Sequence, residues 1–295
     1  MIELSAERIL EAKANLGEGP LWDHRAKVLW WLDILASRVH RFEPKSGKND
    51  TWDVGQMVGT VVCRKQGGLM LALEDGFATF DTESGVAKVV ADPESEKSDN
   101  RFNDGKCDPA GRFWAGTMNK GDALQLRTGA LYSLDTDLSI RKHLEPVGVS
   151  NGIVWSKDAK SMYYIDTASK AVDRFDYDLE TGNISQRQTV FKVPEEMGYP
   201  DGMAIDNQDK LWVAFWNGWQ VARICPQEGK VIATIKLPVA NVTACAFGGA
   251  ALDQLYITTA RVGLSDDELA KQPMAGDLFL GQPGVHGVES SNFAG

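Results

Sequence analysis

The sequence predicts an all-β protein, a six-bladed β-propeller with four-stranded blades around a central channel, formed as a single domain over residues 1–295. Three observations predict this fold. An acid or amide followed by glycine and an apolar run recurs along the chain, and helix signals are almost absent. In addition, six similar units start at intervals of roughly 40 to 50 residues, a period typical of propeller blades.

Each predicted unit begins with a short apolar strand. In the first unit, residues 28–33 then form a buried second strand, residues 38–42 alternate as a third strand, and residues 44–47 make the turn into the fourth. The unit that starts near residue 152 repeats the same order. The six first strands start at 19–22, 59–62, 105–107, 152–155, 202–205 and 244–247.

Segments outside these units have their own predictions. Residues 2–16 are expected to add an outer strand to the last blade and so close the ring. The inserts 92–100 and 119–127 are polar, and we expect loops over one mouth of the channel. A capping-box pattern at Ser265 predicts one short helix. The tail 281–295 is polar and rich in glycine, and we expect it to be loosely ordered.

Composition excludes several classes of partner. The chain has 31 basic and 41 acidic residues, a net charge of −10, which disfavours nucleic acid and anionic membranes. It has no run of 18 apolar residues, no secretory signal pattern, and four scattered cysteines that are expected to be free thiols. We therefore expect a cytoplasmic monomer or weak homo-oligomer, with no nucleic-acid or membrane partner.

The recurring acid-glycine and amide-glycine pairs predict the functional site. Glu18, Asp104, Asn151 and Asp201 each stand at the start of a predicted first strand. Because first strands line the channel of a propeller, these four side chains should converge. Their oxygens suit a hard or borderline divalent cation. Without a cation, the carboxylates would repel one another or take up protons.

Two polar residues precede one of these positions. Arg101 and Asn103 come just before Asp104, and we expect them to donate hydrogen bonds to substrate hydroxyl groups or a carbonyl. Trp216 and Trp219 are expected near the same mouth of the channel.

Competing motifs carry less weight. The sequence 148–152 matches the G-x-S-x-G pattern, but that motif needs a helix after its serine, and here a strand and a turn follow. We interpret the match as coincidental. The four histidines have no metal-ligand spacing, and surface or strand positions are expected for them.

Five motifs together resemble the family of senescence marker protein, regucalcin and gluconolactonase, over nearly the whole chain. They lie at residues 16–22, 101–105, 111–118, 150–152 and 199–202. The resemblance implies a six-bladed propeller that hydrolyses a small-molecule sugar lactone with one divalent cation in the channel.

The resemblance also implies residue roles. The metal ligands would be Glu18, Asn151 and Asp201, and the cation (Ca²⁺, Zn²⁺, Mn²⁺, Mg²⁺ or Fe(II)) would act as a Lewis acid. Asp201 would also serve as the general base, and Arg101 and Asn103 would hold the substrate. The resemblance leaves open whether Asp104 reaches the metal.

One departure from the family leaves the substrate open. Some relatives have an acidic substrate contact in the loop after Gly116-Thr117-Met118, but here that loop reads Asn119-Lys120-Gly121-Asp122-Ala123, so the resemblance does not specify the sugar. Two alternatives remain at this point. One is another metal-dependent ester hydrolase, such as an organophosphatase. The other is a calcium- or sugar-binding propeller without catalysis.

Overall fold

The computed structural model describes residues 2–295 and is built almost entirely of strands. Two short α-helices are present in this part of the chain, α1 (Ala123–Leu126) and α2 (Asp266–Lys271). The first strands in chain order are β1 (Ile2–Leu10), β2 (Gly17–Asp23), β3 (Val28–Asp33), β4 (Arg38–Glu43), β5 (Lys48–Asp53), β6 (Val58–Cys63), β7 (Leu69–Leu73), β8 (Gly76–Asp81), β9 (Val86–Ala91), β10 (Asn100–Cys107), β11 (Phe113–Asn119), β12 (Gly129–Leu134) and β13 (Ile140–Val147). The others are β14 (Ser150–Trp155), β15 (Ser161–Asp166), β16 (Ala171–Tyr177), β17 (Ile184–Lys192), β18 (Tyr199–Ile205), β19 (Leu211–Trp216), β20 (Gln220–Cys225), β21 (Lys230–Lys236), β22 (Val242–Gly248), β23 (Gln254–Thr259) and β24 (Leu278–Gly281).

Consecutive strands pair into antiparallel sheets, which confirms the all-β prediction. Four sheets have four strands each, in the orders β2–β5, β6–β9, β10–β13 and β14–β17. A fifth sheet has eight strands, in the order β18-β19-β20-β21-β1-β24-β23-β22. Its two halves are joined where β1 runs parallel to β21, from Ile2 opposite Ala233 to Ser5 opposite Lys236.

The innermost strands surround a common axis. Strands β2, β6, β10, β14, β18 and β22 contact one another in this order, and β22 contacts β2 again. The hydrophobic core lies between successive sheets, as where Leu32 of β3 and Val61 of β6 belong to one buried cluster. Burial of this apolar surface between sheets is the main term that holds the ring together.

The N-terminal strand has the predicted place. Strand β1 pairs antiparallel with β24, beginning with Ala6 opposite Gly281, and so forms the outer strand next to β24. Its second, parallel partner was not predicted. Because both edges of β1 are paired, neither half of the eight-stranded sheet presents an open edge at this position.

The helix prediction is confirmed for α2 and incomplete for α1. Ser265 caps α2, and the Glu268 side chain accepts a hydrogen bond from the Ser265 amide at 2.8 Å, as a capping box requires. Helix α1 lies in the insert predicted as a loop. Asp122 precedes it without making a side-chain cap bond, and the helix has only four residues, too few to show a helical period in the sequence.

The prediction for the tail 281–295 was wrong. Phe293 is fully buried, its amide donates to the Cys63 carbonyl at 2.8 Å, and its carbonyl accepts from Lys65 at 2.8 Å. Residues 288–291 line a cavity at the C-terminal ends of the first strands, beside Trp155 and Phe247. The burial of one aromatic side chain and these backbone bonds fix a segment whose composition indicates mobility.

Two smaller expectations concern the thiols and the membrane. Cys63, Cys107, Cys225 and Cys245 are all free and buried, as predicted. Neither helix within residues 2–295 has the length and apolar character needed to cross a membrane.

Candidate functional site in the central channel

The five predicted site residues line one cavity of about 320 Å³. Each of the five side chains is buried. They come from the N-terminal parts of four innermost strands, β2, β10, β14 and β18. The residues are Glu18, Arg101, Asn103, Asn151 and Asp201.

Irregular strand pairing places these residues at the channel. The register of β2 with β3 shifts between Glu18 and Leu21, and comparable shifts occur in β10, β14 and β18. A shift of this kind is a bulge, which re-aims the side chains of the strand. Each bulge contains the acid-glycine or amide-glycine pair found in the sequence.

The glycines of these pairs allow neighbouring innermost strands to approach. A Cβ atom on Gly152 would lie 2.5 Å from the Cβ of Met203, and one on Gly202 would lie 2.4 Å from the Cβ of Ala244. Both distances are too short for real atoms, so only glycine fits. The acids use the same glycines as donors, because Glu18 Oε2 accepts from the Gly19 amide at 2.9 Å.

The carboxyl groups of the site repel one another. Burial, reinforced by the charge of Asp104, raises the pKa of Glu18 to about 8. Burial raises the pKa of Asp201 well above its usual range, and the charges of Glu18 and Asp104 add to the effect. No Lys or Arg among residues 2–295 forms an ion pair with these three carboxylates. Without a cation these carboxyl groups therefore take up protons readily, and a divalent cation would stabilise their charged forms.

Arg101 and Asn103 form a hydrogen-bonded chain toward Asn151. Arg101 Nη1 donates to the Phe102 carbonyl at 2.9 Å and to Asn103 Oδ1 at 2.8 Å. Asn103 Nδ2 donates to the Ser150 carbonyl at 2.8 Å and to Asn151 Oδ1 at 3.2 Å. The Asn103 amide is thus engaged at both ends by the protein, and it connects β10 to β14. Burial lowers the pKa of Arg101 to about 10.

Thr167 orients Asn151 and was missed by the sequence analysis. Asn151 Nδ2 donates to Thr167 Oγ1 at 2.7 Å, and Thr167 Oγ1 donates to the Pro200 carbonyl at 2.8 Å. The first bond fixes which end of the Asn151 amide carries the oxygen available to a ligand. The second bond connects Thr167 to β18, the strand that carries Asp201. No motif around Thr167 signals this role, since it lies in the turn after β15.

Asp104 lies farther along the channel than the other predicted residues. It lines a separate cavity of about 20 Å³ together with Lys106, Met203 and Cys245. Lys106 Nζ donates to the Met203 carbonyl at 2.9 Å, and burial lowers the pKa of this lysine. Side chains two residues apart lie on the same face of a strand, so the spacing of Lys106 from Asp104 could have predicted that Lys106 also faces the channel.

Apolar side chains form the rest of the site cavity. Trp216 lies there as predicted, whereas Trp219 is exposed and does not line the cavity. The other apolar lining residues were not predicted. They are Leu16, Met118, Leu124, Val149 and Tyr199.

The motifs that were set aside have structural roles. Ser150 begins β14, no helix follows it, and its hydroxyl accepts a hydrogen bond from the Tyr164 hydroxyl at 2.8 Å. The match to a nucleophile motif is therefore coincidental. His40 stacks on Trp31 with ring centroids 4.0 Å apart, and no histidine lines the site cavity.

The oxygen atoms of the site are better suited to binding a divalent cation than to pairing with a lysine or arginine side chain. Two carboxylates, Glu18 and Asp201, and one amide oxygen, from Asn151, converge in a space without an ion-pairing side chain. Oxygen donors of this kind suit hard cations. Within residues 2–295, no cluster of three or more His, Cys, Asp or Glu side chains is arranged for a metal. The candidate site differs from such a cluster because its third candidate ligand is the amide oxygen of Asn151.

Fold and site together define a propeller-like all-β protein with an oxygen-rich site in its central channel. The chain belongs to the family described as SMP-30/Gluconolactonase/LRE-like region, whose model matches residues 16–261.

Individual relatives match the chain over its whole length. Regucalcin of Gallus gallus is 41% identical over 299 residues and covers 100% of both chains. A solved luciferin-regenerating enzyme superimposes with a TM-score of 0.92 at 33% identity, over 99% of both chains. A calcium-binding protein, regucalcin, from Agrobacterium tumefaciens superimposes with a TM-score of 0.93 at 27% identity, over 99% of this chain and 98% of its own.

Proposed function

We propose that this protein hydrolyses a sugar lactone to the aldonic acid, with one divalent cation held by Glu18, Asn151 and Asp201. The observation that carries the proposal is the convergence of these oxygens from three strands. The two carboxylates are buried, repel each other and lack an ion-paired Lys or Arg among residues 2–295. Membership of a family described by gluconolactonase supports the reaction class. The calcium-binding regucalcin structure supports a divalent cation.

The chemistry divides between the cation and the chain. A bound divalent cation would supply Lewis-acid polarisation of the ester carbonyl. Asp201 is the proposed general base, because its carboxylate lines the same cavity and can accept the proton of an attacking water. Arg101 is the proposed substrate donor, since only one of its guanidinium nitrogens is used in the hydrogen bonds described above.

Asn103 receives a narrower role than the sequence suggested. Its amide is already bonded to Arg101, Ser150 and Asn151, so contact with a substrate hydroxyl would have to replace one of these bonds. We propose that it holds Arg101 and Asn151 in place and contacts the substrate only secondarily. No serine nucleophile is needed, because water is the attacking group.

The number of blades and the extent of the domain around the site are also proposals. Counting the two halves of the eight-stranded sheet separately gives six blades of four strands, which we propose form one propeller domain over residues 1–295. We propose a cytoplasmic monomer or weak homo-oligomer whose partner is a small-molecule lactone, without nucleic-acid or membrane partners.

The test is acid release from a panel of aldonolactones by protein treated with a chelator and then given single divalent cations. Glucono-, galactono-, xylono- and arabinonolactone are each compared with their spontaneous opening. Turnover that vanishes with the chelator and returns with one cation is expected. Turnover that is unaffected by the chelator would contradict the proposal.

A binding role without catalysis is the second candidate, because one structural neighbour, the regucalcin of Agrobacterium tumefaciens, is a calcium-binding protein. The same panel separates the two. Tight cation binding without acceleration on any lactone would favour this second role.

A further inference from the structure

We propose that the site selects lactones whose ring carries an apolar substituent, such as the methyl group of a deoxyaldonolactone. This inference rests on the proposed lactone hydrolysis for the ligand class. It concerns the part of the substrate that lies away from the proposed metal ligands Glu18, Asn151 and Asp201. The observation that carries it is the order of the lining residues at the starts of three innermost strands, where an apolar residue stands two positions before each proposed metal ligand: Leu16 before Glu18, Val149 before Asn151 and Tyr199 before Asp201.

The apolar part of the cavity is extensive and mostly aliphatic. Trp216 and Tyr199 provide aromatic faces, which could stack on any sugar ring. Four aliphatic side chains cannot hydrogen-bond to hydroxyl groups, and they make the lining unlike a site built for a fully hydroxylated ring. These four are Leu16, Met118, Leu124 and Val149.

The polar groups of the cavity offer few free donors. Asn103 and Thr167 are bonded to the protein through both their donor and acceptor atoms. The remaining donor capacity comes from the Arg101 guanidinium and the Tyr199 hydroxyl, while Glu18 and Asp201 supply acceptors. These groups suffice for the ester and an adjacent hydroxyl, but a hydroxyl placed against the aliphatic residues would lose its hydration without a replacement bond.

The apolar wall is held in place by polar contacts behind it. Helix α1, which carries Leu124, contacts the turn that contains Thr167. Arg127 follows the helix, and its Nη2 donates to Asp166 Oδ2 at 2.8 Å. Leu124 is nonetheless 41% exposed, so an apolar substituent in the cavity would cover it. Leu126 of the same helix is 56% exposed and does not line the cavity, which makes it a matched control.

The test compares two lactones that differ only by one hydroxyl group. L-Rhamnono-1,5-lactone carries a methyl group on its ring where L-mannono-1,5-lactone carries a hydroxymethyl group. The wild-type protein is expected to show a kcat/KM at least about 5-fold higher for the deoxy lactone, from burial of the methyl group and the desolvation of the hydroxyl. A ratio below 2 would overturn the proposal.

Variants locate the preference. Leu124→Asn is expected to reduce the ratio at least about twofold, because it offers a hydrogen bond to the hydroxyl. Leu126→Asn should leave the ratio unchanged. If both substitutions changed the kcat/KM ratio equally, contact with Leu124 in the cavity would not be the cause of the preference.

Binding of the matched polyols L-rhamnitol and L-mannitol, measured by calorimetry on the metal-loaded protein, does not depend on turnover. Tighter binding of L-rhamnitol supports the inference even if no lactone is hydrolysed, in which case only the proposed hydrolysis fails. Equal affinity, or binding of neither polyol, would overturn the inference even if lactones are hydrolysed.

Discussion

Replacement of Thr167 by valine tests whether a residue outside the proposed ligand set controls the candidate metal site. Valine has the shape of threonine but no hydroxyl group, so the packing stays close to the original. The substitution removes the 2.7 Å bond from Asn151 Nδ2 and the 2.8 Å bond to the Pro200 carbonyl. Both partners stay in the protein interior.

The structure sets the size of the effect. In Thr167→Val the buried Asn151 Nδ2 group loses its 2.7 Å bond, and its remaining partner is the Asp201 carboxyl, whose pKa burial raises and a hydrogen bond from Asn151 lowers in part. Loss of the partner of a buried polar group costs about 1–3 kcal/mol, so the two lost bonds together lower the free energy of unfolding by about 2–6 kcal/mol. An amide free to rotate presents its oxygen to the cation less often. Loss of an outer-shell partner of this kind lowers metal affinity by about 10- to 100-fold.

The assay is calorimetric titration of chelator-treated protein with a single divalent cation, beside urea unfolding of the metal-free protein. Thr167→Ser retains the hydroxyl and is the control, with affinity expected close to wild type. If Thr167→Val folds and binds the cation within twofold of wild type, Thr167 does not position Asn151 and this reasoning is refuted.

Four further predictions concern single sites. Asp201→Asn is expected to lower kcat by at least about 100-fold because it removes the proposed general base; near-wild-type turnover in a folded variant would exclude that role. Arg101→Leu should raise KM more than it lowers kcat, since Arg101 binds substrate in ground and transition states alike; steady-state kinetics showing a lower kcat at unchanged KM would disagree. Phe293→Ala should cost about 3–5 kcal/mol of unfolding free energy in urea titrations, because the ring is fully buried; a loss below 1 kcal/mol would mean that the tail is not anchored. Burial lowers the pKa of His40 to about 4 from 6.5, so the unfolded chain takes up this proton at a higher pH than the folded chain does. Protonation of the unfolded state should therefore lower the free energy of unfolding by about 2 kcal/mol between pH 7 and pH 5. An imidazole that titrates near 6.5 by NMR would contradict this.

The parts of the fold that repeat could be predicted from the sequence. The acid-glycine and amide-glycine pairs mark the bulges of the innermost strands because each bulge requires a glycine. Gly152 and Gly202 lie against the next innermost strand, Gly105 lies against β11, and Gly19 has a positive φ of 54°. That constraint is local and recurs at a fixed period, so one chain without homologues suffices to find it. Glu18, Asn151 and Asp201 were found in this way, and the structure places them in one cavity.

The parts that depend on contacts distant in sequence could not be predicted. Thr167 meets Asn151 only because two strands turn back on each other, and no local pattern marks it. The tail 281–295 has the composition of a mobile segment, but Phe293 finds a buried position against residues more than 200 positions earlier. Helix α1 has only four residues, so the segment that carries Leu124 shows no helical period in the sequence.

Simultaneous measurement of bound metal and turnover tests the central claim most directly. Chelator-treated protein is titrated with the cation that best restores lactone hydrolysis, and bound metal is counted by elemental analysis after equilibrium dialysis at each point. We expect the rate to rise in proportion to bound metal and to level off at one ion per chain. Glu18→Gln should shift both curves together to higher metal concentration. Full activity in chains without metal, or activity that appears only after a second ion binds, would contradict the account.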